Sequence, residues 1–266
     1  VSPASPFDRA EFDAGLAELR ALGYEPVHDE RVFAREPMVS GPARVRAEAF
    51  LDALRDPSID AIIAVRGGYG SVEILPFLDP RELRDARKII CGYSDITSLL
   101  VYVVCHAGLV AFHGPMIDRR LSRGEAGYHR PSFAAALAAP VPMGRLDAPG
   151  LSVLREGAAE GVLIGGTLTQ LAAGLGTPYA MRLDAFDEPA ILFIEDVAER
   201  PYKLRRMLTQ LKLAGALDRV SGVVLGAMAG CDEPGGSPTA CESIASFFDD
   251  FRGPVISGFP SGHGDA

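Results

Sequence analysis

Cysteine is scarce and scattered in this chain. Its four cysteines, Cys91, Cys105, Cys231 and Cys241, include no C-x-x-C pair, and the five histidines fall at spacings that form no zinc pattern. Neither a disulfide framework nor a bound metal is expected. Cys91 and Cys105 lie among apolar neighbours and read as inert core thiols. Positive charge is also in short supply: 26 Lys and Arg stand against 35 Asp and Glu, a formal net charge of −9. Such a surface repels nucleic acid and anionic membranes, and no local run of Lys and Arg offsets it, so neither is expected as a partner. No apolar stretch reaches the length of a membrane span. No signal peptide precedes the core either, which makes a cytoplasmic protein the expectation. Tryptophan is absent altogether.

What remains is a composition that folds. With 266 residues and 48% hydrophobic content, the chain can bury one large core or two of ordinary size. The first half alternates helical and strand patterns. Phe12, Leu16 and Leu19 recur at helical spacing until Gly23. Residues 24–27 read as a short strand, 45–54 as a helix, and Ala61-Ile62-Ile63-Ala64-Val65 as a strand buried on both faces. A helix is expected over 72–78, a buried strand over 88–91 and a helix over 96–105. Repeated βα units predict a doubly wound parallel sheet, with ligands gathering at the C-terminal ends of its strands. An Ala, Pro and Gly-rich stretch follows, which divides the chain into domains at 1–142 and 151–266 with a linker at 143–150. The second half reads as richer in strands: 160–164 leading to Gly165-Gly166, 190–194 ending in Glu195-Asp196, 220–225, and 254–256. A helix opens at Pro201, with Leu204, Leu208 and Leu211 on one face.

The chemistry concentrates at strand ends. Lys88-Ile89-Ile90-Cys91 runs into Gly92-Tyr93-Ser94-Asp95 and then directly into a helical pattern. A sharp strand-to-helix turn exposes a serine hydroxyl and aims the next N–H and the positive helix end at the same point, as a nucleophile requires. It differs from the G-x-S-x-G elbow, because Ile96 takes the fifth position. The same residues also fit a helix cap formed by Ser94 or Asp95, and this segment alone does not choose. Arg66-Gly67-Gly68-Tyr69-Gly70 lacks the spacing of a nucleotide loop. It offers a backbone that a substrate can approach closely, and the Gly67 or Gly68 N–H could be a second oxyanion donor. Arg66 either pairs with a substrate carboxylate or neutralises a nearby acid. Glu195 and Asp196 end an apolar strand, either as acids before the helix at Pro201 or with Glu195 orienting a histidine. Among the histidines, His28 and His129 read as surface residues, His106 as structural, His113 as a candidate pocket residue after a short strand, and His263 as a loop imidazole.

Taken in order, these motifs resemble the LD-carboxypeptidases, serine peptidases that include murein tetrapeptide carboxypeptidases and microcin C immunity peptidases. The likeness is carried by residues 65–70, Gly92-Tyr93-Ser94-Asp95-Ile96-Thr97, Phe112-His113-Gly114-Pro115-Met116, Gly161 to Gly166, Gly176-Thr177-Pro178-Tyr179, Phe193-Ile194-Glu195-Asp196, Pro201-Tyr202 and Gly262-His263. It implies Ser94 as nucleophile, Glu195 and His263 as its acid and base, and the N–H groups of Gly68 and Asp95 as oxyanion donors. Arg66, Gly67, Tyr69 and His113 are the expected substrate contacts. The implied fold is an N-terminal domain resembling class I glutamine amidotransferases, which carries the serine, and a smaller β-rich swivelling domain, which carries the acid and histidine. A murein peptide substrate, a homodimer and no metal or other cofactor follow from the same resemblance. By this likeness both chain ends are truncated, the chain starting inside the first strand at Val1-Ser2-Pro3 and stopping soon after His263. Thr167 stands where the family usually has Asn.

Two alternatives accompany this expectation. One is an immunity-like peptidase acting on a peptidyl-nucleotide, a branch associated with a stacking Trp that this chain lacks. The other is a non-catalytic binding module on the same scaffold.

Overall fold

The computed structural model describes residues 1–138, 141–146 and 148–264. It forms two compact units, Val1–Leu146 and Asp147–Asp265. Residue 147 of the expected linker lies outside the described residues, as do 139 and 140 of the first expected domain and 265 and 266 of the second.

The first unit begins with α1, Arg9–Ala21, whose N-terminus is capped by the Asp8 carboxylate accepting from the Ala10 and Glu11 N–H groups. Its Phe12, Leu16 and Leu19 are buried, and their core continues through Val65, Cys91 and Ile117. Helix α2 spans Ala43–Arg55, β1 Ala61–Ile63, α3 Pro80–Ala86, β2 Ile89–Gly92, α4 Thr97–Tyr102, β3 Phe112–His113 and α5 Arg130–Ala138. The strands form a parallel sheet in the order β1-β2-β3, with Ile63 opposite Cys91 and Gly92 opposite His113. Val1 lies beside β1, its carbonyl accepting from the Val65 N–H at 2.8 Å.

Three expected elements differ. Residues 24–27 form no strand, because Tyr24 and Val27 are 39% and 63% exposed and have no ladder to join. The helix expected over 72–78 is a 3₁₀ helix, Ser71–Phe77, with Pro76 inside it, where proline supplies no backbone donor. Strand β1 ends at Ile63, yet Ala64 and Val65 stay buried and bonded to their neighbours, the Ala64 N–H donating to the Cys91 carbonyl at 3.0 Å, before the chain turns at Arg66 and the glycines.

The second unit comprises β4 Ser152–Arg155, β5 Val162–Thr167, α6 Leu168–Ala173, β6 Ala190–Val197, α7 Pro201–Leu213, β7 Val220–Ala229, α8 Ala240–Phe247 and β8 Val255–Ser257. Its sheet runs β4-β8-β7-β6-β5 and is parallel except for β4, which pairs antiparallel with β8. The chain is therefore an α/β protein with a parallel sheet and a mixed second sheet. Leu204, Leu208 and Leu211 of α7 are fully buried, as their spacing predicts. Gly165 and Gly166 lie inside β5 instead of ending it. At Gly165, with φ 143°, a Cβ would fall 1.8 Å from the Phe193 carbonyl oxygen on β6. Only glycine lets the two strands approach that closely.

Among the described residues no helix is long and apolar enough to cross a membrane, and no cysteine is in a disulfide. Burial pushes the Cys91 thiol up to about 12 and that of Cys231 up to about 11. Cys105, by contrast, is only half-buried, in the π turn Val103–Ala107 that follows α4 and buries Val103 and Ala107 instead. It is not the core thiol that its apolar neighbours suggest.

Two outcomes are expected. A thiol-specific disulfide reagent at pH 8 leaves Cys91 and Cys231 unmodified in the native protein and reaches them only on unfolding, since the thiolate is the reactive form. Gly165→Ala lowers stability in urea denaturation by about 3 kcal/mol or more, as backbone has to move to admit a methyl group.

Candidate active site

Strand β2 delivers the chain to a tight turn. Tyr93 is extended at φ −153°, Ser94 adopts φ 63°, and Ser94–Ile96 winds directly into α4. A left-handed conformation at a residue with a Cβ costs roughly 1–3 kcal/mol and persists only where the surroundings enforce it. Two glycines make room for the turn. A Cβ on Gly92 would lie 2.8 Å from Ile96 Cγ2, and a Cβ on Gly67 would lie 2.8 Å from Ser94 Cβ, 3.1 Å from its Oγ and 3.2 Å from the Asp95 nitrogen. A side chain at position 67 would therefore occupy the space beside the Ser94 hydroxyl and the Asp95 N–H.

The helix-cap reading of this segment does not describe the turn. The capping positions fall on Tyr93 and Ile96, and neither supplies a side-chain cap. The Asp95 carboxylate instead turns inward and accepts from the Ser71 N–H at 2.7 Å, while the Ser71 hydroxyl donates to the Asp95 carbonyl. Burial raises the Asp95 pKa, opposed by hydrogen bonds from Ser71 and Gly70. The glycine turn after β1 is thus tied to the serine turn after β2 at both ends, by close contact at Gly67 and by hydrogen bonds at Ser71. Buried Arg46 holds the far side of the glycine turn, donating to the carbonyls of Gly70 (2.7 Å), Gly41 (2.9 Å) and Pro3, and pairing with Glu73.

The other expected contacts gather around these turns. Arg66 donates to the Pro6 carbonyl at 3.1 Å and lies 3.5 Å from Asp118 Oδ2. It therefore neutralises a buried acid, one of the two roles its sequence position allows, and its side chain keeps 31% exposure. Burial raises the Asp118 pKa, and the charges of Arg66 and Arg119 oppose that shift. Tyr69 is 46% exposed at the tip of the glycine turn. His113 is part of β3, not beyond it, and its ring meets that of Tyr93 edge-on at 5.8 Å. Arg120 Nε donates to the Tyr93 hydroxyl at 3.1 Å.

In the second unit, β6 places Glu195 and Asp196 on opposite faces, as successive strand residues must be. Both are buried, Glu195 with no exposure at all. Glu195 Oε2 accepts the His263 backbone N–H at 3.0 Å and lies 2.6 Å from His263 Nδ1, while the Thr167 hydroxyl donates to Oε1. An Nδ1–H bonded to carboxylate leaves Nε2 as the basic nitrogen of the ring. Gly262, at φ 106°, permits this approach, since a Cβ there would fall 2.5 Å from Oε2. Asp196 serves α6, accepting from the Thr169 N–H at 2.9 Å and its hydroxyl at 2.8 Å. Burial raises its pKa. Neither acid caps the helix at Pro201, where the capping position is Arg200. Among the described residues no group of three or more His, Cys, Asp or Glu could hold a metal ion.

No sequence motif singles out Ser5, Arg46, Ser71 or Asp118, and Thr167 stands out only as an unusual residue. Most of these act on backbone groups or hidden charges, which leave no motif. The nearest signal was the Ser-Pro pairs at Ser2-Pro3 and Ser5-Pro6, which mark turns without saying what they bind.

Comparison with known proteins assigns both units. The LD-carboxypeptidase N-terminal domain matches residues 1–114, and the LD-carboxypeptidase C-terminal domain matches residues 160–266. The chain belongs to the LD-carboxypeptidase family. It is 38% identical to a putative carboxypeptidase of Streptomyces coelicolor over 87% of this chain and 74% of that protein. It is 33% identical to the murein tetrapeptide carboxypeptidase of Pseudomonas aeruginosa, over 99% of this chain and 87% of the relative. Among solved structures, the muramoyltetrapeptide carboxypeptidase of Oxalobacter formigenes matches at a TM-score of 0.84 with 26% identity, covering 99% of this chain and 88% of that one. The microcin C7 self-immunity protein MccF, known from Escherichia coli and solved with aspartyl sulfamoyl adenosine, matches at 0.85 with 26% identity, covering 97% and 85%.

The Thr167 contact is directly testable. Thr167→Val removes a donor from a fully buried carboxylate and is expected to cost about 1–3 kcal/mol in urea denaturation, whereas Thr167→Ser stays near wild type.

Proposed function

We propose that this protein is a serine LD-carboxypeptidase that releases the terminal D-amino acid from murein tetrapeptides, acting in the cytoplasm as a homodimer in peptidoglycan recycling. The observation that carries this reading is the pairing of His263 Nδ1 with Glu195 Oε2 at 2.6 Å, in a family of carboxypeptidases whose serine motif here bears a left-handed turn.

In this mechanism Glu195 holds His263 in the tautomer with the basic Nε2 and stabilises the imidazolium that forms. His263 takes the Ser94 hydroxyl proton as Oγ attacks the scissile carbonyl. The N–H groups of Gly68 and Asp95 receive the negative charge that develops on the carbonyl oxygen. His263 then protonates the leaving amine, the D-amino acid departs, and water hydrolyses the acyl-enzyme with His263 again as base. His263 carries every proton transfer while Glu195 stabilises its cation, so the chemistry needs no metal. Arg66 and Tyr69, beside the glycine turn, and His113, beside Tyr93, are the groups we assign to substrate. Arg66 is the cation for the terminal carboxylate, screened in the resting protein by Asp118. The murein substrate is favoured over a peptidyl-nucleotide by the relatives named for it and by the absence of any Trp to stack on a base.

The test is hydrolysis followed by mass spectrometry. Wild type is expected to release D-alanine from a murein tetrapeptide, Ser94→Ala to lose about 10⁴-fold or more in kcat, and EDTA to change nothing. Turnover of Ser94→Ala at the wild-type rate overturns the nucleophile, inhibition by EDTA overturns the metal-free chemistry, and cleavage of only a peptidyl-nucleotide overturns the substrate.

A further inference from the structure

The peptide between Gly67 and Gly68 is the most easily rotated link near the serine turn, because neither flanking residue carries a Cβ. In a planar trans peptide the carbonyl and the N–H point in opposite directions. A half-turn of this unit would therefore replace a donor with a carbonyl oxygen and repel a developing oxyanion. One residue clasps this link from outside the turn. The Ser5 backbone N–H donates to the Gly67 carbonyl at 3.1 Å, and Ser5 Oγ accepts the Tyr69 N–H at 3.0 Å. The Ser5 hydroxyl in turn donates to the Met38 carbonyl at 2.8 Å, which leaves its lone pairs directed at Tyr69. Gly68 sits against this clasp at φ 94°, and a Cβ on it would fall 2.5 Å from Ser5 Oγ. Ser5 holds groups on both sides of Gly68, while Gly67 faces Ser94.

We propose that Ser5 is a positioning residue for the oxyanion site, its backbone N–H and side-chain hydroxyl locking the Gly67–Gly68 peptide so that the Gly68 N–H is presented to substrate. This rests on the serine-peptidase reading above, in which Gly68 is an oxyanion donor. Ser5 itself touches neither substrate nor the reacting atoms. Its effect falls on the transition state, where charge appears on the oxygen, and not on substrate binding.

Three variants and one exchange measurement test it. Ser5→Ala deletes the hydroxyl but keeps the backbone N–H. It is expected to lower kcat roughly tenfold with KM within about twofold, a fraction of the loss for removing an oxyanion donor outright. It should also weaken a tetrahedral phosphonate analogue of the murein peptide by a similar factor while leaving product affinity unchanged. Ser5→Thr, which retains the hydroxyl, should recover most of the rate. Hydrogen–deuterium exchange at residues 66–71 should quicken in Ser5→Ala while the rest of the first unit keeps its protection. Unchanged kcat, or a rise in KM alone, overturns the proposal, as does Ser5→Ala exchange identical to wild type. The exchange measurement needs no activity, so it decides the lock even for a weakly active variant. Wild type inert toward murein peptides but active on a peptidyl-nucleotide overturns only the substrate assignment. The kcat comparison then runs on that substrate, because an acyl oxyanion forms on either. Ser94→Ala with wild-type turnover overturns the serine mechanism itself, independently of Ser5.

Discussion

A single strained residue organises the first unit. Ser94 holds φ 63°, a conformation that an L-residue with a Cβ avoids, and its neighbours make room for it and fasten it. Gly92 removes a clash with Ile96 behind the turn, and Gly67 removes one in front of it. Asp95 fastens the next residue to Ser71, so the turn cannot relax without breaking a buried carboxylate's hydrogen bond. The strain directs the serine out of the strand end while the backbone behind it stays in the sheet. The second unit solves a different problem: a carboxylate with no exposure has to be surrounded by donors. Two come from His263 and one from Thr167, each from a segment other than β6.

Much of this was legible in the sequence because apolar runs and glycine breaks are strong signals. The runs at 61–65, 88–91 and 190–194 mark β1, β2 and β6, and the leucines of α7 mark its buried face. The turns after β1 and β2 are marked where apolar runs end in glycine, the second also by the helical pattern that follows Gly92-Tyr93-Ser94-Asp95. The failures have identifiable causes. Residues 24–27 carry strand-favouring side chains at positions that the fold leaves in solvent. Gly165-Gly166 reads as a strand terminator, yet it continues β5, because the neighbouring strand lies too close for any side chain. A glycine that breaks a strand and one that admits a close neighbour look identical in one dimension.

The roles of Arg66, Asp196 and Ser5 show the same limit. Arg66 could be read as a substrate cation or as a counter-charge, and the identity of its partner, Asp118, lies 52 positions away in the chain (118 − 66). Glu195 and Asp196 are adjacent in sequence and chemically alike, but strand alternation sends one to a histidine and the other to the start of α6. Ser5 acts through carbonyl and amide groups, which every residue possesses, so no spacing rule could have singled it out.

The crowding at Gly165 limits which substitutions this chain can accept near its buried acid. A position that tolerates no side chain behaves as a fixed pin: it sets the register of β5 against β6, and with it the place where residue 167 meets Glu195. Substitution at the pin is closed, whereas substitution two residues along is open, provided that the newcomer can donate a hydrogen bond. Freedom around the acid is thereby confined to the choice of donor, and the place of the acid is set in part by a residue that has no side chain.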